Sequence, residues 1–154
     1  ERGRAAVPGG APAGAPSPGG RFAPPPLPAG ETVVRPLSAI AVARSGDKGD
    51  VAHVAVIARR PEFAALIGEQ ITEAAVAAWF AHLAKGTVTR YEVPGIHAYN
   101  FTLTEALGGG GAASLRNDPL GKTFGMVLLA HPVKVPVAWL DRTDPGWPGA
   151  RPVP

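Results

Sequence analysis

Residues 43–51, with the sequence ARSGDKGDV, carry four charges and two glycines between two apolar runs. A polar segment beside buried strands is costly unless its charges meet one another or a ligand. The two glycines permit positive φ or the close approach of another group, and Ser45, Asp47 and Asp50 can bond nearby backbone amides. The segment therefore supports two hypotheses, an internally bonded turn and a rigid loop that presents charges to a partner or an anion.

Basic residues from two parts of the chain form the most coherent candidate set for recognition. All of them could face an anionic group such as a carboxylate or a coenzyme phosphate. These residues are Arg44, Lys48, Arg116 and Lys122. Asp47, Asp50 and Asp118 can neutralise the same cations, and we rank such an internal ion-pair network above ligand binding.

The residues give less support to nucleophilic catalysis, phosphate binding or metal binding. Ser45 has neither a nucleophile elbow nor an identifiable base, so its hydroxyl is more typical of a turn cap, and no catalytic residue can be assigned. The run Gly108–Gly111 can cradle a phosphate only if a helix follows it, and a helix C-cap or a turn is the more frequent role of such glycines. The four histidines do not approach metal-ligand spacing, and we predict no metal site. His53 lies within a strand, where a core histidine bonded to backbone is the favoured interpretation.

Two apolar runs, 37–43 and 51–58, read as buried strands, and residues 87–93 alternate like a strand with one wet face. Thr72 is a plausible N-cap for a helix over 73–85 that Lys85 and Gly86 would close. A shorter helix follows Pro61, and Gly68 separates the two. Residues 97–107 fit a helix or a strand, residues 118–121 form a turn, and residues 124–129 form an element of undetermined type.

Composition divides the chain into three parts. Residues 1–36 contain 9 of the 18 prolines and 7 glycines, which predicts a disordered or polyproline linker. Residues 37–140 suffice for one modest core, and residues 141–154 form a Pro-rich extended tail that Trp139 and Trp147 can pin to a surface. Because the first residue is Glu1, we expect a piece of a longer chain or a misplaced start.

Charge and cysteine content exclude several classes of protein. The net charge of +3 divides into +2 for residues 1–36 and +1 for residues 37–140, so no basic stripe predicts nucleic-acid binding. The absence of cysteine removes disulfides and thiolate chemistry. No apolar run reaches membrane-spanning length, and a cytoplasmic location without membrane contact is the expectation.

Four sequence blocks resemble the AtuA-like (acyclic terpene utilization) proteins, specifically their small ferredoxin-fold domain. The resemblance spans roughly residues 37–130, and its specificity lies in the order of the blocks. One departure is His53, where the family pattern has asparagine. The blocks are 43–50, 56–61, 90–94, and a last group made of 100–101, 106–111 and 114–118 and extended by 121–123.

The resemblance implies an α+β fold of the ferredoxin-like type, with a mostly antiparallel sheet and helices packed on one face. It favours an accessory or assembly domain that is not catalytic by itself. This domain would dock on a large AtuA-type domain or subunit, in cis or in trans. The metabolic context that the resemblance implies is catabolism of acyclic terpenoid or branched acyl-CoA compounds. The alternative is part of an active site that binds an acyl-CoA or carboxylate through Arg44, Asp47, Lys48 and Asn100. No cofactor is identified, coenzyme A thioester stays open as a ligand, and a homo-oligomer stays open as an assembly.

Overall fold

The computed structural model describes residues 30–140. Within them, short apolar segments separated by glycine, proline and polar turns form six strands and three α-helices. The strands are β1 Thr32–Pro36, β2 Ala41–Lys48, β3 Val51–Ala58, β4 Val88–Val93, β5 Ala98–Leu103 and β6 Pro132–Pro136. The helices are α1 Phe63–Gln70, α2 Glu73–Trp79 and α3 Phe124–Leu129.

Four strands form one antiparallel sheet in the order β2-β3-β5-β4, and β1 pairs with β6 in a separate two-stranded sheet. Two hairpins build the larger sheet, one from β2 and β3 and the other from β4 and β5. Its antiparallel pairing with helices between the hairpins confirms the predicted α+β ferredoxin-like class. Among the described residues, no helix has the length and apolarity needed to cross a bilayer.

The core lies between the larger sheet and the three helices, which pack on the same side of it. Helix α1 contacts β3, α2 contacts β4, and α3 contacts β2 and β3. Alternate residues of the central strands, such as Val54, Val56, Phe101 and Leu103, are fully buried against them. The Phe80 and Phe124 rings stack at 5.0 Å between centroids and join the two helical regions. Burial of this apolar surface is the main term that stabilises the sheet against the helices.

The predicted first strand and the charged segment after it are arranged differently from the expectation. Residues 37–39 form a 3-10 turn, and β2 begins at Ala41 and continues through Lys48. The segment predicted as a loop is therefore mostly strand, since Lys48 pairs with Val51 across a turn of only two residues. Gly49 occupies that turn with φ of 63°, which glycine adopts without strain. The charges of this segment consequently alternate between the two sheet faces.

Thr72 caps α2 as predicted, because its hydroxyl accepts a hydrogen bond from the Ala75 amide at 3.1 Å. The helix nevertheless ends at Trp79 instead of Lys85, and the chain continues through turns in which the Phe80 carbonyl accepts two amides. The predicted closure at Lys85 and Gly86 is therefore wrong. The separation at Gly68 is also wrong, because Gly68 lies within α1 and the break falls at residues 71–72.

The structure gives the element type of the segments that the sequence left undetermined. Residues 98–103 form β5, residues 124–129 form α3, and Gly121 completes the turn begun by Asp118 with φ of 60°. Strand β1 falls within the segment whose composition predicted a linker to residue 36, because Pro36 and its neighbours pair with β6. Residues 1–29 and 141–154, including Trp147 and most of the predicted linker and tail, lie outside the described residues.

Candidate functional site

Asp50 joins the β2–β3 turn to the glycine run. Its Oδ1 atom accepts hydrogen bonds from the amides of Leu107 and Gly109, both at 2.9 Å, and its carbonyl accepts from the Ala106 amide at 3.0 Å. One amide of the glycine run and the amide just before it are thus occupied by a carboxylate of the chain itself. The four glycines of the run all have positive φ, which fits the turn interpretation.

Ser45 and Asp118 fix the start of α3. The Ser45 hydroxyl donates to the Lys122 carbonyl and accepts from the Gly125 amide, each at 2.9 Å, which ties β2 to the helix. The Asp118 carboxylate accepts from the amides of Lys122 and Thr123, both at 2.8 Å, and from the Thr123 hydroxyl at 2.6 Å. Both side chains satisfy backbone groups and act within the fold.

We expect the hydrogen bonds of Asp118 to make the free energy of unfolding depend on pH in the acidic range. Burial alone would raise the pKa of Asp118, but the hydrogen bonds from Thr123 and Lys122 outweigh burial and lower it. The carboxylate therefore stabilises the fold above the ordinary aspartate pKa of about 3.9, and this contribution is lost as pH falls below that value. Asp118→Asn, which loses one acceptor oxygen, should reduce the free energy of unfolding by about 1 kcal/mol at neutral pH.

Urea unfolding of both proteins at neutral and acidic pH checks this expectation. The difference between wild type and Asp118→Asn should shrink at the lowest pH at which both remain folded. A difference that stays constant across the range would contradict the assigned role of the carboxylate.

Arg116 and Arg90 also act inside the fold. Arg116 donates to the carbonyls of Ala106 and Leu83, and Arg90 donates to the carbonyls of Gly68 and Ile71 at the end of α1. Arg90 thus satisfies carbonyls at the end of a helix, and Arg116 satisfies carbonyls of two turn segments. Lys122 differs, since its exposed ammonium lies 3.8 Å from Asp47 in a solvent-facing ion pair worth little stability. Of the ion-pair network predicted from sequence, this pair is the one present in residues 30–140.

Tyr99 is buried beneath Arg90, whose guanidinium carbon lies 5.0 Å from the ring centroid. Burial, followed by the charge of Glu92, raises the pKa of Tyr99 to about 12. The phenol therefore stays protonated at physiological pH. This residue packs α1 closely against the sheet, because a Cβ added at Gly68 would collide with its hydroxyl.

The remaining predicted site residues, Arg44, Lys48 and Asn100, lie on the other face of the larger sheet. No helix of the described residues packs on this face, which we call the uncovered face. Strand register places four positions of each of β2 and β3 and three of each of β5 and β4 on it. They are Val42, Arg44, Gly46, Lys48; Val51, His53, Ala55, Ile57; Ala98, Asn100, Thr102; and Thr89, Tyr91, Val93.

The uncovered face combines an apolar row with a polar row. Register aligns Val42, Ile57, Ala98 and Val93 across the four strands, and the exposed Ile96 lies just beyond in the turn between β4 and β5. Tyr91 and Ile96 are 51% and 57% exposed. Large apolar side chains grouped with this exposure are typical of an interaction surface.

The polar row crosses the sheet next to the apolar one and runs from Arg44 through Ala55 and Asn100 to Tyr91. His53 occupies the row beyond, and its predicted place in the core is wrong, because it is half-exposed on this face. Within residues 30–140, the side chains of Arg44, His53 and Asn100 form no hydrogen bond or ion pair. Among residues 30–140, no three His, Asp or Glu side chains are grouped so that they could hold a metal ion.

Sequence reasoning missed the contribution of His53, Tyr91, Val93 and Ile96 to this surface. The alternation in residues 87–93 did indicate one wet face on β4. Assigning the other strands required the register that brings β4, β5, β3 and β2 side by side, and this register joins residues almost fifty positions apart.

Comparison with known proteins gave one match. A family model described as the AtuA ferredoxin-like domain matches residues 35–134, which is more than half of the chain and includes β2 through α3. The search of curated proteins and the search of solved structures each found no match.

Proposed function

From the premise that this chain belongs to the AtuA ferredoxin-like domain family, we propose that it is a noncatalytic assembly domain. It docks on an AtuA-type large domain or subunit, in cis through residues 1–36 or in trans as a small subunit. The assembly acts in the cytoplasm, in catabolism of acyclic terpenoid or branched acyl-CoA compounds, which is the context that the family name implies.

The uncovered face is the observation that carries this proposal. A sheet with helices on one side usually buries its second face when that face is apolar, or leaves it wet when it is polar. Here an apolar row and two strongly exposed large side chains lie beside polar groups without partners in residues 30–140. An open sheet face of this composition suits contact with another protein better than it suits a small ligand, which is usually enclosed in a pocket.

The hydrogen bonds of the candidate site residues support a noncatalytic role. Ser45, Asp50, Asp118 and Arg116 all bond backbone groups of the fold. Asp118 also accepts from the Thr123 hydroxyl, but the same carboxylate is held by two backbone amides. The side chains of Ser45, Asp50 and Arg116 have no side-chain partner at hydrogen-bond distance within the described residues.

Truncation of Tyr91 tests the proposed docking. Tyr91→Ala should weaken binding of the full chain to an AtuA-type large domain by about 1 to 3 kcal/mol, because an exposed aromatic is a frequent anchor of interfaces. Isothermal titration calorimetry measures the change. Met126→Ala is the matched control, since Met126 is 74% exposed on α3, on the opposite side of the sheet, and should leave the affinity unchanged.

Two outcomes of these titrations would argue against docking through the uncovered face. Equal losses of affinity in Tyr91→Ala and Met126→Ala, or no measurable association of the wild type, would contradict docking through this face.

The second candidate function is part of an active site. It is favoured by one observation, which is that Arg44 and Lys48 have no carboxylate partner in residues 30–140. Turnover of an acyl-CoA or terpenoid acid by the isolated chain, abolished by Lys48→Ala, would support that alternative.

A further inference from the structure

Ala55 lies at the centre of a ring of side chains on the uncovered face. It pairs with Arg44 on one side and with Asn100 on the other, and His53 and Ile57 flank it along β3. Directly opposed Cβ atoms in an antiparallel sheet lie about 5 Å apart, and residues two positions apart on a strand about 6.5 Å apart. The small methyl group of Ala55 therefore forms the floor of a depression between larger side chains, three of them polar.

The rim of this depression is rich in hydrogen-bond donors. Arg44 offers a planar guanidinium, Asn100 an amide group and His53 an imidazole. The Cα atoms of Arg44 and Asn100 are two strand spacings apart, roughly 9.6 Å, which leaves room for a carboxylate bonded from both sides. Within residues 30–140 none of these three side chains has a hydrogen-bond or ion-pair partner.

Charge on the uncovered face is of one sign. Arg44 and Lys48 lie on β2, and none of the positions that register places on this face is Asp or Glu. Interfaces tend to pair surfaces of complementary potential, so this face requires acidic groups from its partner. A second copy of the same face offers no carboxylate to neutralise these cations.

We propose that the depression above Ala55 receives a carboxylate side chain of the partner protein, bound by Arg44 and Asn100 with His53 at its edge. This inference rests on the proposed docking function and adds the chemistry of the partner. The partner surface carries an Asp or Glu next to an apolar patch, which covers the row from Val42 to Val93. Recognition is therefore between unlike chains or domains, and the uncovered face does not pair with itself.

Charge reversal at Arg44 tests the inference. With the full chain and an AtuA-type large domain, Arg44→Glu should weaken binding about thirtyfold or more, as expected for a charge pair removed from water. Arg44→Gln should weaken it less, and the residual binding should depend less on sodium chloride than that of the wild type. Lys134→Glu makes the same charge change at an exposed position of β6, in the other sheet. It should change the affinity less than twofold, in accord with about 0.5 kcal/mol or less for a distant surface substitution.

Each pattern of results decides the matter. Loss of binding in Arg44→Glu, together with rescue by an Asp→Lys or Glu→Lys change in the large domain, would establish the carboxylate contact. If Tyr91→Ala weakens binding and Arg44→Glu does not, the carboxylate contact is overturned and the docking function stands. If neither variant weakens binding, the carboxylate contact and the docking function are both overturned. Sedimentation that shows self-association of the full chain, removed by Tyr91→Ala, would overturn the exclusion of self-pairing.

Discussion

Gly110→Ala should lower the free energy of unfolding by roughly 3 to 5 kcal/mol, the largest effect expected of a single methyl group in this domain. Gly110 has φ of 68° and ψ of 165°, a conformation that residues with a Cβ rarely adopt. An added Cβ would also lie well inside van der Waals contact with the Gly49 carbonyl. The two backbones approach each other here because Asp50 binds the glycine run, so the substitution would force the β2–β3 turn away from it.

Gly111→Ala separates the two causes of this loss. Gly111 also has positive φ, 47°, but an added Cβ there would meet no atom within 4 Å. Only the conformational cost should apply, about 1 to 2 kcal/mol. Urea denaturation measures both variants. Equal losses in the two variants would show that the close approach of the turn and the glycine run contributes nothing.

Asp50→Ala should cost roughly 2 to 4 kcal/mol of unfolding free energy, because it leaves the amides of Leu107 and Gly109 without their acceptor. Hydrogen exchange should show the consequence locally. The amides of residues 107 and 109 should exchange faster, whereas those in the centre of β3 should follow global unfolding.

Asp50→Asn is the control for charge. Its side-chain oxygen can occupy the position of Oδ1 and accept both amides, so we expect a loss of only about 1 kcal/mol. A loss in Asp50→Asn as large as in Asp50→Ala would mean that the negative charge, and not the acceptor geometry, stabilises the contact.

Local signals predicted several elements correctly. Strand β3 matches its predicted bounds because Val51–Ala58 is apolar at every position except His53 and the sheet buries one side of it. The Thr72 cap, the turn at Asp118 and the antiparallel α+β class also follow from short-range patterns and from the family resemblance. The end of α2 was beyond such signals, because Phe80 leaves the helix to stack on Phe124, a contact set by tertiary packing.

The candidate site was less accessible to sequence reasoning. Proximity in sequence suggested that the charges of residues 43–51 form one group, but strand alternation sends Ser45 and Asp47 to one side and Arg44 and Lys48 to the other. Of the three carboxylates that we expected to neutralise the cations, Asp47 pairs with Lys122, whereas Asp50 and Asp118 bond backbone amides instead. Which charges remain for recognition depends on these long-range hydrogen bonds.

Hydroxyl-radical footprinting of the full chain, alone and with an AtuA-type large domain, shows directly whether the uncovered face is the docking surface. Tyr91 on the uncovered face and Met126 on α3 are both strongly exposed and reactive, so they report on opposite sides of the domain in one experiment. We expect the partner to protect Tyr91 while labelling of Met126 stays unchanged. Protection of Met126 with Tyr91 still fully labelled would contradict it.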